Sequence, residues 1–266
     1  MVKFEDYQFH YSLTGSSDNQ PLLLLHGFMG SSDDFKNAMA LLADQFYCIA
    51  IDLPGHGKTQ VLGGEECYTM PNTAQALIYL LDQLNIEKSY LLGYSMGGRL
   101  ALYLTLHFPD RFRKVVIESA SPGLNTIEEK VLRLQADAQL AKKLATGDFY
   151  SFLVNWYNQP IFKYLKTHPK FEYLIESRLA SNPLELAKSL CQMGTGSQPS
   201  LWEQLEYNEI PLLLLVGEYD DKFKNINEEI ARSCIVAELK IVKDCGHNIH
   251  FENINVWIRY VAEFCK

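Results

Sequence analysis

Apolar residues along this chain recur with two different periods. Short unbroken or alternating apolar runs at 9–13, 22–25, 47–51, 89–92, 115–118, 212–216 and 239–242 are too brief for helices and predict strands. Between several of them the apolar positions instead return every three or four residues, which predicts helices over 33–44, 72–84, 96–107 and 253–264. Strands that alternate with helices imply β-α units. The expected class is therefore α/β, with a mainly parallel central sheet flanked by helices. Residues 123–205 break the alternation, being helical in pattern and rich in aromatics such as Phe149, Tyr150, Phe152, Trp156, Tyr157, Phe162 and Tyr164. A helical lid (cap) inserted after the 115–118 strand accounts for this, with further helical core as the alternative. The expected organisation is a core of residues 1–122 and 206–266 and a lid of 123–205. Loops at the carboxyl ends of parallel strands are where such sheets place their sites.

The loops after four of these strands carry candidate chemistry. Gly93-Tyr94-Ser95-Met96-Gly97 follows one strand and opens a helix. A serine on so sharp a turn needs small neighbours two residues to either side, and Gly93 and Gly97 supply them. His26-Gly27-Phe28 follows the 22–25 strand. In this arrangement the Phe28 amide faces that of Met96, and two such donors stabilise an oxyanion. A base for Ser95 belongs on the loop after the last strand, where His247 stands with His250 as its rival. His107 and His168 fall in helical surface stretches. The acid orienting the histidine belongs after the preceding strand, which runs into Gly217-Glu218-Tyr219-Asp220-Asp221. Asp220 is the choice there and Asp221 the alternative. The order Ser95, Asp220, His247 is that of α/β-hydrolase folds. Asp52-Leu53-Pro54-Gly55-His56-Gly57 reads as a structural or pocket-lining turn.

Composition narrows the partners. With Lys+Arg 24 against Asp+Glu 32 the net charge is −8, and there is no basic run, so nucleic acid is not an expected partner. No apolar stretch is long enough to cross a bilayer, and the N-terminus lacks the apolar segment of a signal peptide. Six cysteines without C-x-x-C spacing suggest neither zinc nor a redox pair and fit free thiols in a reducing cytoplasm. No histidine–carboxylate cluster at ligand spacing and no dinucleotide fingerprint is present, so no metal or organic cofactor is expected. Oligomeric state is not legible.

Against this acidic background Arg99 stands out. It follows Ser95 by four residues and opens a helix continued by Leu100-Ala101-Leu102-Tyr103-Leu104. A cation there opposes the helix dipole, by about 0.3–1 kcal/mol, and an unpaired buried charge costs considerably more. At Ser+4 the side chain lies on the serine's face of the helix. A bound carboxylate gripped by the guanidinium resolves the conflict, and so does an ion pair within the protein.

GYSMGGR (93–99), SASPGL (119–124), WYNQPIF (156–162), TGSQPSLW (195–202), GEYDDKF (217–223) and CGHNIHFEN (245–253) together resemble the 2-succinyl-6-hydroxy-2,4-cyclohexadiene-1-carboxylate synthases. These are α/β-hydrolase-fold enzymes of menaquinone and phylloquinone biosynthesis, and the resemblance runs nearly end to end, lid included. It implies a carbon–oxygen lyase that eliminates pyruvate from 2-succinyl-5-enolpyruvyl-6-hydroxy-3-cyclohexene-1-carboxylate. On that resemblance Ser95, with His247 and Asp220, is a general base rather than a nucleophile, and the amides of Phe28 and Met96 meet the developing enolate charge. It also implies a small polycarboxylate held by Arg99, Arg133 and Arg178, with Tyr94 and Trp156 lining or shaping the site. Lys130, Leu134 and Phe35 depart from residues common in relatives. Without the resemblance Arg133 and Arg178 read as solvated helix faces. The same triad would serve an esterase or C–C bond hydrolase with Ser95 as nucleophile, and the fold would also serve a non-catalytic ligand receptor. The density of arginines favours the lyase.

Overall fold

The computed structural model describes residues 2–4 and 6–266. In chain order its elements begin with β1 (Val2–Phe4), β2 (Tyr7–Phe9), β3 (Tyr11–Thr14), β4 (Gln20–Leu25), α1 (Lys36–Leu42), β5 (Phe46–Ile51) and β6 (Gln60–Val61). The chain continues through α2 (Met70–Gln83), β7 (Ser89–Tyr94), α3 (Met96–His107) and β8 (Phe112–Glu118). Five helices follow: α4 (Ile127–Thr146), α5 (Phe149–Tyr157), α6 (Phe171–Leu179), α7 (Pro183–Met193) and α8 (Trp202–Leu205). The last elements are β9 (Leu212–Gly217), α9 (Asp221–Ser233), β10 (Ala237–Val242), α10 (Ile249–Glu252) and α11 (Ile254–Phe264).

Among the described residues the main sheet orders its strands β10-β9-β8-β7-β4-β5-β3. Only the edge strand β3 runs antiparallel, pairing Tyr11 with Ile51. The central strands are buried on both faces, so side-chain alternation divides them between two layers. Leu23 and Leu25 of β4 pack with α2 and α3 through Leu77, Leu81, Leu100 and Leu104. Leu22 and Leu24 face the other way, onto Met39 and Leu42 of α1 and Trp257 and Val261 of α11. The strand order reverses between β4 and β7, whose ends lie side by side with Leu25 opposite Gly93. Loops leaving this switch point diverge and open a crevice.

A third apolar cluster belongs to the segment between β8 and β9. Phe152, Leu153 and Tyr157 of α5 meet Leu174 and Ile175 of α6 and Leu186 and Leu190 of α7, and Met29 of the core loop joins them. Its first helix, α4, begins with a capping box: the Glu129 amide donates to the Thr126 hydroxyl, and Glu129 accepts the Thr126 amide in return.

Besides the short β1, β6 and α10, which no pattern announced, three segments differ from the sequence expectation. The single strand over 9–13 is broken at His10, whose amide donates to Thr59 Oγ1 (2.9 Å) and whose ring holds Asp52 (2.8 Å). Phe9 therefore ends a strand of a small separate sheet, β1-β2-β6, and Tyr11 begins one of the main sheet. The helix over 33–44 is divided into a 3-10 turn (Ser32–Phe35) and α1. The unanticipated α9 presents only Phe223, Ile226 and Ile230 as large apolar residues among polar ones, too thin a stripe to announce itself.

Candidate active site

The crevice collects the carboxyl ends of β4, β7, β8, β9 and β10, and each brings one part of the site. Ser95 sits between β7 and α3 with φ 52° and ψ −109°, a conformation few non-glycine residues adopt. Its strain is held from both sides: the Ser95 amide donates to the Glu118 carbonyl (2.8 Å), and its carbonyl accepts the Arg99 amide (3.0 Å). The two elbow glycines are required by crowding. A Cβ on Gly93 would run into the backbone of Gly97, and one on Gly97 into the Leu25 carbonyl.

His247 follows β10 and reaches back to the serine. Ser95 Oγ lies 3.1 Å from His247 Nε2, and His247 Nδ1 lies 2.6 Å from Asp220 Oδ2. Both His247 and Asp220 are buried, at 1% and 2% exposure, so water does not compete for the pair. Asp221, the alternative acid, is exposed and pairs with Lys224 (2.7 Å). His250, the rival base, is instead bound to both oxygens of Glu118 at 3.0 and 2.9 Å.

The loop that presents His247 is clamped by two carboxylates. Fully buried Glu118 accepts the amides of Ile249 (2.7 Å) and His250 (3.2 Å) and the indole N–H of Trp257 (2.8 Å). Glu252 accepts the amides of Gly246 (2.5 Å) and Asn248 (3.2 Å), the residues on either side of His247. The sequence reading passed over Glu118 and Glu252, because a carboxylate gathering backbone amides leaves no spacing signature. Aromatic faces complete the setting: Tyr94 and Phe223 lie 5.5 and 4.7 Å from the His247 ring.

The turn after β4 is built on His26. Its Nε2 accepts the Leu53 amide (3.0 Å) and its Nδ1 donates to the Gly27 carbonyl (2.7 Å), which fixes the tautomer. Burial lowers its pKa and keeps the ring neutral. Asp52 secures the neighbouring turn by accepting the amides of Ser32 (2.6 Å) and Lys58 (2.7 Å), a structural role. His107 is exposed, whereas His168 is half-buried against Phe251 at 4.7 Å.

Two chambers meet at Ser95. The larger, about 1030 Å³ with its mouth, is lined by Phe28, Met96, Arg99, Arg133, Trp156, Lys222 and His247 among others. The smaller, about 370 Å³, is lined by Gly27, Phe28, Asp34, Tyr94, Trp156, Tyr157 and Arg178 among others. Trp156 stands between them with its ring 5.2 Å from that of Phe28. Arg99 donates to Gln198 Oε1 at 3.2 Å, and among the described residues no carboxylate pairs with it. Burial, then repulsion from Arg133, lowers its pKa to about 10, so it stays charged at neutral pH. Arg133 gives only its Nε to Asp137 (2.7 Å).

Arg178, expected from the resemblance to hold a substrate carboxylate, lines the smaller chamber and has a carboxylate partner within the protein. Its two terminal nitrogens hold both oxygens of Asp34 at 2.6 and 2.8 Å, and Tyr157 approaches its Nε at 3.4 Å. A guanidinium so buried needs a partner inside the protein, and Asp34 lies 144 residues away in sequence, where no local pattern could reveal it. Lys222 was also missed, being one lysine in a charged helical turn.

Comparison with known proteins places the fold and the family. Residues 20–254 match the family described as alpha/beta hydrolase fold. A relative from Bacillus subtilis is 36% identical over 94% of this chain and 92% of its own length. The 2-succinyl-6-hydroxy-2,4-cyclohexadiene-1-carboxylate synthase of Serratia proteamaculans is 31% identical over 94% of both chains. The solved structure of MenH from S. aureus superposes with a TM-score of 0.90 at 31% identity, covering 98% of each chain. With that identity sustained from end to end, the chain belongs to the 2-succinyl-6-hydroxy-2,4-cyclohexadiene-1-carboxylate synthase family of the α/β-hydrolase fold.

Proposed function

We propose that this enzyme eliminates pyruvate from 2-succinyl-5-enolpyruvyl-6-hydroxy-3-cyclohexene-1-carboxylate to give 2-succinyl-6-hydroxy-2,4-cyclohexadiene-1-carboxylate. The observation that carries the reading is a Ser95–His247–Asp220 chain opening on a cavity with two arginines that the protein leaves without full carboxylate partners.

The reaction follows from the two ring systems. C2 of the substrate bears a hydrogen next to the succinyl ketone, which makes it acidic. Ser95 Oγ takes that proton while its own passes to His247 Nε2, and Asp220 steadies the imidazolium. The ketone oxygen gains negative charge, met by the amides of Phe28 and Met96. The electron pair then forms C2=C3, the ring double bond moves to C4=C5, and the C5–O bond breaks. Pyruvate leaves as its enolate and is protonated on carbon, which returns the proton. No acyl-enzyme forms.

Arg99 and Arg133 hold substrate carboxylates in the larger chamber, and Tyr94 and Trp156 shape the space beside Ser95. Arg178 acts through the smaller chamber's wall, its charge shared with Asp34. Residues 123–205 serve as a lid over the crevice, in keeping with their own apolar cluster. Six free thiols, five of them buried, suit a reducing cytoplasm. No helix of the described residues is long and apolar enough to cross a membrane.

Pyruvate release, read as NADH consumption through lactate dehydrogenase, tests the proposal. Wild-type protein is expected to release one pyruvate per cyclohexene consumed, and Ser95→Ala to lose about 10²–10⁴-fold in kcat. Brisk hydrolysis of p-nitrophenyl esters without pyruvate release would replace the lyase with a hydrolase.

A further inference from the structure

We infer that Lys222 is a third cationic contact for the substrate, at the mouth of the larger chamber. This rests on the reading above, in which the ligand carries three carboxylates: one on the ring, one on the succinyl arm and one on the enolpyruvyl group. Lys222 lines the same chamber as Arg99, Arg133, Ser95 and His247. It is the second residue of α9, two positions after Asp220, so the element that supplies the triad's acid also aims this ammonium at the cavity.

Its neighbours are neutralised and it is not. Lys224 pairs with Asp221 at 2.7 Å, whereas among the described residues no carboxylate pairs with Lys222. Its Nζ lies 5.4 Å from the centre of the Phe223 ring, and that ring packs 4.7 Å from His247. The ammonium is thereby tethered beside the base while the side chain remains exposed at the rim. Partial desolvation and then the charge of Arg133 lower its pKa, and Asp220 opposes that shift. A protein of net charge −8 that turns three incompletely paired cations toward one cavity is arranged for a polyanion. With Arg178 committed to Asp34, Arg99, Arg133 and Lys222 match the three carboxylates in number.

Steady-state pyruvate release by Lys222→Met and Lys222→Arg tests this, with Lys240→Met as a control that removes the same charge from an exposed site paired with Glu238. Lys222→Met is expected to raise KM about tenfold with kcat within about twofold, the loss of one charged contact made equally in ground and transition states. Lys222→Arg should restore most of KM, and Lys240→Met should match wild type. Calorimetric binding of propane-1,2,3-tricarboxylate, which needs no turnover, should weaken about tenfold in Lys222→Met. An unchanged KM and unchanged tricarboxylate affinity in Lys222→Met would overturn the inference, as would an equal loss in Lys240→Met. If the wild type releases no pyruvate, the elimination reading fails, and the tricarboxylate titration still decides whether Lys222 binds an anion.

Discussion

A guanidinium in the first turn of a helix works against the helix dipole, and Arg99 stands in the first turn of α3 with a side-chain amide for company rather than a carboxylate. Of the two explanations open from sequence, an internal ion pair and an external acid, the described residues supply no carboxylate for the first, and the second is the one we propose. Arg99→Ala is expected to raise KM for the cyclohexene substrate by about 10–100-fold, the value of a charge-assisted contact, measured by pyruvate release across substrate concentration. A similar comparison separates the adjacent acids. Asp220→Asn should cost about 10²–10⁴-fold in kcat by disrupting the orientation and tautomer of His247. Asp221→Asn should stay within about twofold of wild type, because that side chain is 88% exposed.

At the scale of elements, the decisive object is the short loop between β10 and α10 that carries His247. Helices and strands hold their own backbone, but a loop must be held by something else. Here Glu118 reaches across from the end of β8, and Glu252 reaches back from α10 to bracket His247 on both sides. Burial raises the Glu252 pKa, and its two amide donors oppose that shift. Glu252→Gln leaves an acceptor for one amide and sets an N–H₂ group against the other. It is expected to lower kcat about tenfold while leaving KM within about twofold, since the cations proposed to hold the substrate lie elsewhere. Circular dichroism and thermal melts of the variant would separate a misplaced base from an unfolded protein.

For the whole molecule, the Arg178–Asp34 pair joins the helical segment between β8 and β9 to the loop after β4, across a contact with little water. Its charges are tolerable only together. Asp34→Asn is expected to destabilise by about 3–5 kcal/mol, the usual consequence of stranding one buried partner, read as a lowered urea midpoint. A second global property comes from His26 and His56, buried at 0% and 2% exposure. The His56 pKa is lowered from 6.5 to about 3, first by burial and then by His26. Below pH 6.5 the unfolded chain binds protons that the folded one refuses, so stability falls as pH drops from about 6.5 towards 3. The slope is expected to approach about 1.4 kcal/mol per pH unit for each such histidine, checked by urea unfolding at pH 7, 6, 5 and 4.

Much of this was legible along the chain because it is local. Apolar runs and helical periods are statements about neighbouring residues, and they located the central strands and the helices that cover them. The elbow at Gly93–Gly97, the order of Ser95, Asp220 and His247, and the anomaly of Arg99 are likewise written in short segments. The break at His10, the thinly striped α9, the carboxylate clamps of Glu118 and Glu252, the partner of Arg178 and the aim of Lys222 are not. Each depends on groups far apart in sequence that only packing brings within a hydrogen bond or a Coulombic reach. Sequence alone determined which groups this protein has for its chemistry. The tertiary structure decided which of its cations have carboxylate partners within the protein, because charge is neutralised by neighbours in space.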